Sequence, residues 1–125
     1  MSDGFEVEVT DDARREIWAL GNKAAVRIVE RIRYVKGVGW QASQQNGLIK
    51  NLGDIEPGMF EILVKGRGEA YRVFCFPVGM RHGRLVVLTS CVAKSKLLGR
   101  GLQRHVQTAA QRRDEWLRTH KERSI

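Results

Sequence analysis

The chain has 125 residues, 42% of them hydrophobic and 29% charged, and carries a formal net charge of +8. That length and composition predict one globular domain over residues 1–125 and exclude a disordered polymer. The longest apolar runs have strand length, too short for a membrane span, and the first residues are acidic where a secretion signal would be basic. We therefore expect a cytoplasmic protein with no membrane partner.

The positive charge is concentrated in the second half of the chain. Residues 1–20 carry 2 basic and 6 acidic side chains, residues 21–64 carry 6 and 4, and residues 65–125 carry 14 and 4. This asymmetry favours a polyanionic partner, which can be nucleic acid, an acidic protein or an anionic surface. A basic surface that only keeps the protein soluble is the alternative.

The first third of the chain predicts a strand followed by two helices. Residues 5–9 alternate apolar and acidic side chains, as a half-buried strand does. A helix is predicted from Asp11, and Gly21 interrupts it before a second helix from Lys23. The two helices form a predicted hairpin that covers one side of a sheet. The apolar face of the second helix consists of Ala25, Ile28, Val29, Ile32 and Val35.

The middle of the chain predicts a long connection and then a β-meander. Residues 36–58 are rich in glycine and amides, which predicts a connection with a short turn at 48–52. Three apolar runs follow, at residues 59–65, 70–77 and 85–92, and glycines separate the first two. We expect these runs to pair as antiparallel neighbours.

The last segment, from about residue 97 to 125, predicts an amphipathic helix with a charged tail. The whole order predicts an α+β fold: an N-terminal strand and a two-helix hairpin pack on a small, mainly antiparallel sheet, followed by the C-terminal helix. The basic face of that helix consists of Arg100, Arg104, Arg112, Arg118 and Lys121.

Cysteine and histidine positions argue against metal chemistry. Cys75 and Cys91 lie within apolar runs, which predicts buried free thiols on neighbouring strands. His82 is expected in a turn and His120 in the tail, and no Cys or His pair has the spacing of metal ligands. We expect no metal or other cofactor. The three tryptophans, Trp18, Trp40 and Trp116, are expected to pack in or over the core.

Arg72 is the unusual residue of the sheet, because it precedes the apolar run "VFCF". A buried guanidinium without a partner costs several kcal/mol. Arg72 must therefore pair with Glu61 or Glu69, or reach the rim of the sheet to meet an anion. We predict the second arrangement.

Three segments carry a family resemblance: "KNLGD", then "FEILVKGRGEAYRVFCFPV", then "RLVVLTSCVAKSK". Together they resemble the RelE/ParE superfamily of bacterial toxins, in particular its phage-associated HigB-like branch. That branch has a similar leucine-glycine-aspartate turn, a K-G-x-G hairpin, a Y-R-V-F strand and an apolar strand that ends in lysines. The resemblance implies a RelE-like α+β fold.

The resemblance also implies an activity and partners. Such a toxin is an endoribonuclease that cuts messenger RNA, often on the ribosome, without a metal ion, and so stops translation. A cognate antitoxin, commonly a helix-turn-helix protein from the adjacent gene, keeps it silent. Two alternatives stay open: a ParE-like protein that poisons gyrase without catalysis, and a catalytically weak module that binds nucleic acid or another partner.

The family's site residues carry over one at a time. Lys65, Arg72 and Lys94 fall on catalytic positions, where arginine would hold the phosphate and a lysine would exchange a proton. Leu63 and Ala93 replace basic residues that are usual in the family. The remaining candidates are RNA-binding residues: Arg67 on the hairpin, Lys96 and Arg100 as substitutes for the missing cations, and His105 on the last helix.

Overall fold

The computed structural model describes residues 4–80 and 83–120; the predicted turn at His82 and the predicted tail beyond His120 lie outside these ranges. Within them, a five-stranded sheet carries helices on both faces. The strands are β1 (Glu6–Val9), β2 (Ile49–Asn51), β3 (Phe60–Lys65), β4 (Ala70–Met80) and β5 (Gly83–Ala93). The α-helices are α1 (Asp11–Ala19), α2 (Asn22–Val38), α3 (Trp40–Gln45) and α4 (Gly101–Thr119), with a 3₁₀ turn at Lys94–Leu97.

The sheet has the order β1-β5-β4-β3-β2. Strand β1 runs parallel to β5, and every other neighbouring pair is antiparallel. The predicted meander of β3, β4 and β5 is confirmed, as is the helix break at Gly21, whose φ of 101° suits glycine. The α+β class and its mainly antiparallel sheet are therefore confirmed.

Each face of the sheet has its own core. One lies beneath α1 and α2 and includes Ile28, Ile62 and Val86; the other lies beneath α4 and includes Phe74 and Val106. Every strand residue of "VFCF" and "LVVL" is buried, because both faces of these central strands are covered.

The two cysteines are buried on neighbouring strands, and neither forms a disulfide, as the sequence predicted. Burial raises the pKa of Cys91 to about 12, and it raises the pKa of Cys75 further. Both thiols therefore stay protonated and unreactive at neutral pH.

The predicted long connection at residues 36–58 is wrong in its first half. Helix α2 continues to Val38, α3 follows, and β2 then pairs with β3. Trp40 explains the difference, because its buried ring packs edge-on against Phe5 at 5.7 Å and Phe60 at 4.8 Å. Among the tryptophans Trp18 does not pack in the core, since 53% of it is exposed.

The last helix begins later than residue 97. After β5 the chain makes the 3₁₀ turn, and α4 begins at Gly101. A side chain at residue 101 would collide with the backbone carbonyl of Lys96, so this tight turn requires glycine. The turn thereby sets where Lys94 and Lys96 leave the sheet.

Beyond the end of β1, side chains form hydrogen bonds with the backbone groups at the edge of β5. Strand β1 pairs with β5 only as far as Leu88. Beyond it, Glu16 Oε1 accepts a hydrogen bond from the Cys91 amide at 3.0 Å, and Arg112 Nη1 donates to the Thr89 carbonyl at 2.9 Å. The same Nη1 lies 3.0 Å from Glu16 Oε1 and from Ser90 Oγ. One guanidinium thus joins α4 to α1 and to the last part of β5.

Arg112→Ala should lower the free energy of unfolding by about 2 to 3 kcal/mol, because a half-buried carbonyl and a carboxylate lose their charged donor. Arg118→Ala is the matched control: this exposed arginine pairs with Glu115 on the same helix, and its loss should cost no more than about 0.5 kcal/mol. Urea unfolding measures both. Equal effects from the two substitutions would contradict the structural role of Arg112.

Candidate functional site

Three strand ends meet at one end of the sheet. Strand β3 ends at Lys65, β4 begins at Ala70 opposite it, and β5 ends at Ala93 opposite Tyr71. The β3–β4 hairpin and the 3₁₀ turn therefore lie side by side. We call this region, residues 65–71 and 94–98, the hairpin end. It contains four of the predicted site residues: Lys65, Arg67, Lys94 and Lys96.

On one side of the hairpin end lies a groove against α2. Its larger part is a cleft of about 730 Å³ that Lys23, Arg27, Arg67 and Tyr71 help to line. A smaller cleft of about 400 Å³ adjoins it at Arg27. We call the two together the α2 groove. The smaller cleft is lined by Arg27, Glu30, Arg31, Tyr34 and Lys65.

Lys94 lies on the other side of the hairpin. It lines a cleft of about 480 Å³ with residues 66 and 68–70 of the hairpin, Ser95 and the exposed Leu98. Gly66 borders both this cleft and the α2 groove. The structure thus brings Lys65, Arg67 and Lys94 to one end of the sheet, but on two sides of a narrow turn.

Arg72 has a carboxylate partner, and the prediction that it lacks one is wrong. Its Nε lies 3.4 Å from Oε1 of Glu61, and the side chains are only 17% and 6% exposed. In the β3–β4 register Arg72 is opposite Leu63 and Glu61 is opposite Phe74, so the two side chains are diagonal neighbours on one face. Sequence reasoning named this pairing as an alternative but did not favour it.

The Arg72–Glu61 pair leaves part of each group unused. Glu61 Oε2 is buried and has no hydrogen-bond partner among the described residues. The contact to Arg72 is made through Nε, while Nη1 lies 3.5 Å from the Tyr71 carbonyl. Burial raises the pKa of Glu61, and the nearby cations Arg72 and Lys50 oppose that rise. Glu61 is thus a perturbed carboxyl group of the kind found at functional sites and in structural ion pairs alike.

The other predicted RNA-binding residues lie beyond the hairpin. Lys96 is exposed in the 3₁₀ turn, Arg100 is exposed just before α4, and His105 is half-buried on the first turns of α4. Neither of the clefts that border Gly66 is lined by these three residues. They follow Lys94 along the chain, in the 3₁₀ turn and at the start of α4.

Sequence reasoning missed the contribution of α2. Lys23, Arg27 and Arg31 lie outside the predicted apolar face of the second helix, and the sequence did not connect them to the hairpin. Their spacing of four residues was a visible signal, because it puts all three on one side of the helix. Only the packing of α2 beside the hairpin makes them part of the site.

Comparison with known proteins identifies no relative: no family model, curated protein or solved structure matches the chain. In residues 4–80 and 83–120, no three or more histidine, cysteine or carboxylate side chains are grouped so that they could hold a metal ion. Of the described helices, none is both long enough and apolar enough to cross a membrane.

The pKa of Glu61 leads to a pH prediction. Because that pKa is raised above its ordinary value of 4.5 in the folded state, the fold holds a proton that the unfolded chain releases. This contribution to the free energy of unfolding therefore falls as pH rises through the interval between the two pKa values. Glu61→Gln removes the titrating group, so the variant should be more stable relative to wild type at pH 7 than at pH 4.5.

Urea unfolding of both proteins at the two pH values measures this difference. A Glu61→Gln effect that is the same at pH 4.5 and pH 7 would show that burial does not perturb Glu61.

Proposed function

We propose that the chain is a RelE/ParE-type toxin of a toxin-antitoxin pair that binds messenger RNA at the hairpin end and cuts it without a metal ion. The order of elements, strand, helical hairpin, meander and C-terminal helix, agrees with the resemblance of the sequence. A cognate antitoxin, a helix-turn-helix protein from the adjacent gene, is the proposed inhibitor. Translation, including that of messenger RNA on the ribosome, is the proposed target.

The concentration of unpaired cations at the hairpin end carries the proposal. Lys65, Arg67 and Lys94 form no ion pair with any carboxylate of the described residues. Lys65 is the last residue of β3, Arg67 lies in the turn that follows it, and Lys94 directly follows β5, so the antiparallel strands bring all three to one end of the sheet. A fixed group of positive charges is what a scissile phosphate requires, because negative charge builds up there during cleavage.

Cleavage through the RNA's own 2′-hydroxyl requires three contributions: removal of the 2′ proton, stabilisation of the phosphorane and protonation of the leaving 5′-oxygen. In the proposal, Lys65 or Lys94 exchanges the proton, and Arg67 positions the RNA. Glu61 holds Arg72 through Nε, so the Nη edge of the guanidinium contacts the phosphate. Lys96, Arg100 and His105 bind the flanking RNA.

A module that binds nucleic acid or another partner without cutting RNA is the second candidate. The observation that favours it is the state of Arg72, whose guanidinium is largely buried and already paired with Glu61. Its cross-strand neighbour is Leu63, and Ala93 follows the other neighbour, Val92. Both positions are basic in the family that the sequence resembles. A ParE-like gyrase poison, which also acts without cutting RNA, is a separate alternative.

Cleavage of messenger RNA in a translation extract tests the proposal. Lys94→Ala should lower the cleavage rate by about 10²-fold, since it removes an acid-base group from an exposed position without disturbing the core. Arg72→Lys keeps a charge beside Glu61 but loses the planar edge, so it should lower the rate to a similar extent. Lys36→Ala is the control, because Lys36 lies near the far end of α2, and it should leave the rate unchanged.

Induction in bacteria should arrest growth, and co-expression of the adjacent gene should restore it. Folded, soluble protein that leaves RNA intact and growth normal would contradict the toxin proposal. Intact RNA together with blocked supercoiling by gyrase would establish the ParE-like alternative.

A further inference from the structure

We infer that the α2 groove is the track for a single strand of nucleic acid, held through its phosphates and stacked through its bases. The inference goes beyond the proposed function, because it applies equally to a chain that cuts RNA and to one that only binds it. It rests on the charges of the groove's two walls and on its aromatic residues.

The first wall is a row of cations on α2. Lys23, Arg27 and Arg31 are four residues apart, so their positions follow one another by about 6 Å along one side of the helix. Like charges at this spacing destabilise a helix. No carboxylate of the described residues forms an ion pair with any of the three. The row therefore has no carboxylate partner among the described residues and is suited to an external polyanion.

The second wall is the hairpin, which presents Lys65 and Arg67 towards the same groove. The walls meet at Gly66, where an added Cβ would lie 3.4 Å from Cδ of Arg27 and 3.4 Å from Cε2 of Tyr71. Five cations thus converge on one groove, and Glu30 is the acidic residue in its lining. Such a groove attracts the phosphate backbone of a nucleic acid, and the repulsion among its cations is relieved when the phosphates bind.

The aromatic residues favour nucleic acid over an acidic protein. Tyr34 is 57% exposed, and the guanidinium of Arg31 lies 5.5 Å from the centre of its ring. Tyr71 lines the larger cleft. Exposed tyrosine and arginine planes beside a basic track are the surfaces on which unpaired bases stack. The apolar lining, Ala24 and Val26, is too small for the apolar face of a partner helix.

A combined variant with Lys23→Gln, Arg27→Gln and Arg31→Gln tests the cation row. Glutamine keeps the helix propensity of these surface positions, so the fold should persist. The probe is a fluorescent single-stranded DNA of mixed sequence, which lacks the 2′-hydroxyl needed for cleavage. Its affinity should fall at least about tenfold, and the log-log salt slope should shrink by about 0.7 for each phosphate that the variant no longer neutralises, or about 2 in all.

The matched control changes three cations away from the groove: Arg14→Gln, Arg33→Gln and Lys36→Gln. Arg33 and Lys36 lie on the opposite side of α2, so this variant has the same net charge but an intact groove. It should bind the probe with nearly the wild-type salt slope. Equal losses of affinity from the two triple variants would mean that overall charge, not the groove, attracts nucleic acid, and would overturn the inference.

Tyr34→Ala tests stacking separately. It should weaken binding of the mixed-sequence DNA by at least about fivefold but leave binding of inorganic polyphosphate unchanged, since polyphosphate has no bases. Equal losses of affinity for the two probes would contradict stacking by Tyr34. Poly-glutamate that binds in the groove when the DNA does not would assign the groove to an acidic polypeptide and overturn the inference.

These results separate the inference from the proposed function. If DNA binding depends on the groove cations but the protein does not cut RNA, the α2 groove is a nucleic-acid site and the proposed nuclease activity is contradicted. If the protein cuts RNA but its affinity for DNA is unchanged by the α2 substitutions, the proposed nuclease activity is supported and the inference about the α2 groove is overturned.

Discussion

The incomplete edge of β5 is the constraint on which the arrangement depends. Strand β1 pairs only with residues 85–88 of β5, yet β5 continues to Ala93. Glu16 and Arg112 supply the hydrogen bonds that a longer β1 would have made to the Cys91 amide and the Thr89 carbonyl. They thereby fix α1, α4 and the end of β5 together, and this end of β5 delivers Lys94 to the hairpin.

Ion pairing explains why the charge of the protein is uneven at its surface. Many carboxylates of the described residues form ion pairs with basic side chains of the same chain: Asp12 and Glu16 pair with Arg112, and Glu56 pairs with Arg113. Most of these pairs hold α1, α4 and the loop before β3. Most cations of the hairpin end and the α2 groove therefore have no acidic partner. Much of the net charge of +8 lies at these two surfaces, where a polyanion can bind.

The sequence was sufficient to predict the helices and strands that have a periodic pattern of apolar residues. It was not sufficient to predict the elements that depend on tertiary contacts. Alternating and helical periodicity predicted β1, α1, α2 and the meander. Helix α3 and strand β2 were missed because one buried side chain, Trp40, anchors a segment whose composition favours a loop. The partner of Arg72 depends on the β3–β4 register, and the α2 groove depends on how a helix packs beside a hairpin. Periodicity contains neither kind of information.

The most direct test of the account is a map of where a single strand touches the protein. In ¹H–¹⁵N spectra recorded during titration with 2′-O-methyl RNA, which cannot be cleaved through its 2′-oxygen, the largest shifts should lie in residues 23–34, 65–71 and 94–98. The second half of α4, around Arg113 and Trp116, should stay unchanged. Largest shifts in the second half of α4, or spectra unaffected by the RNA, would contradict the claim that the hairpin end meets phosphate.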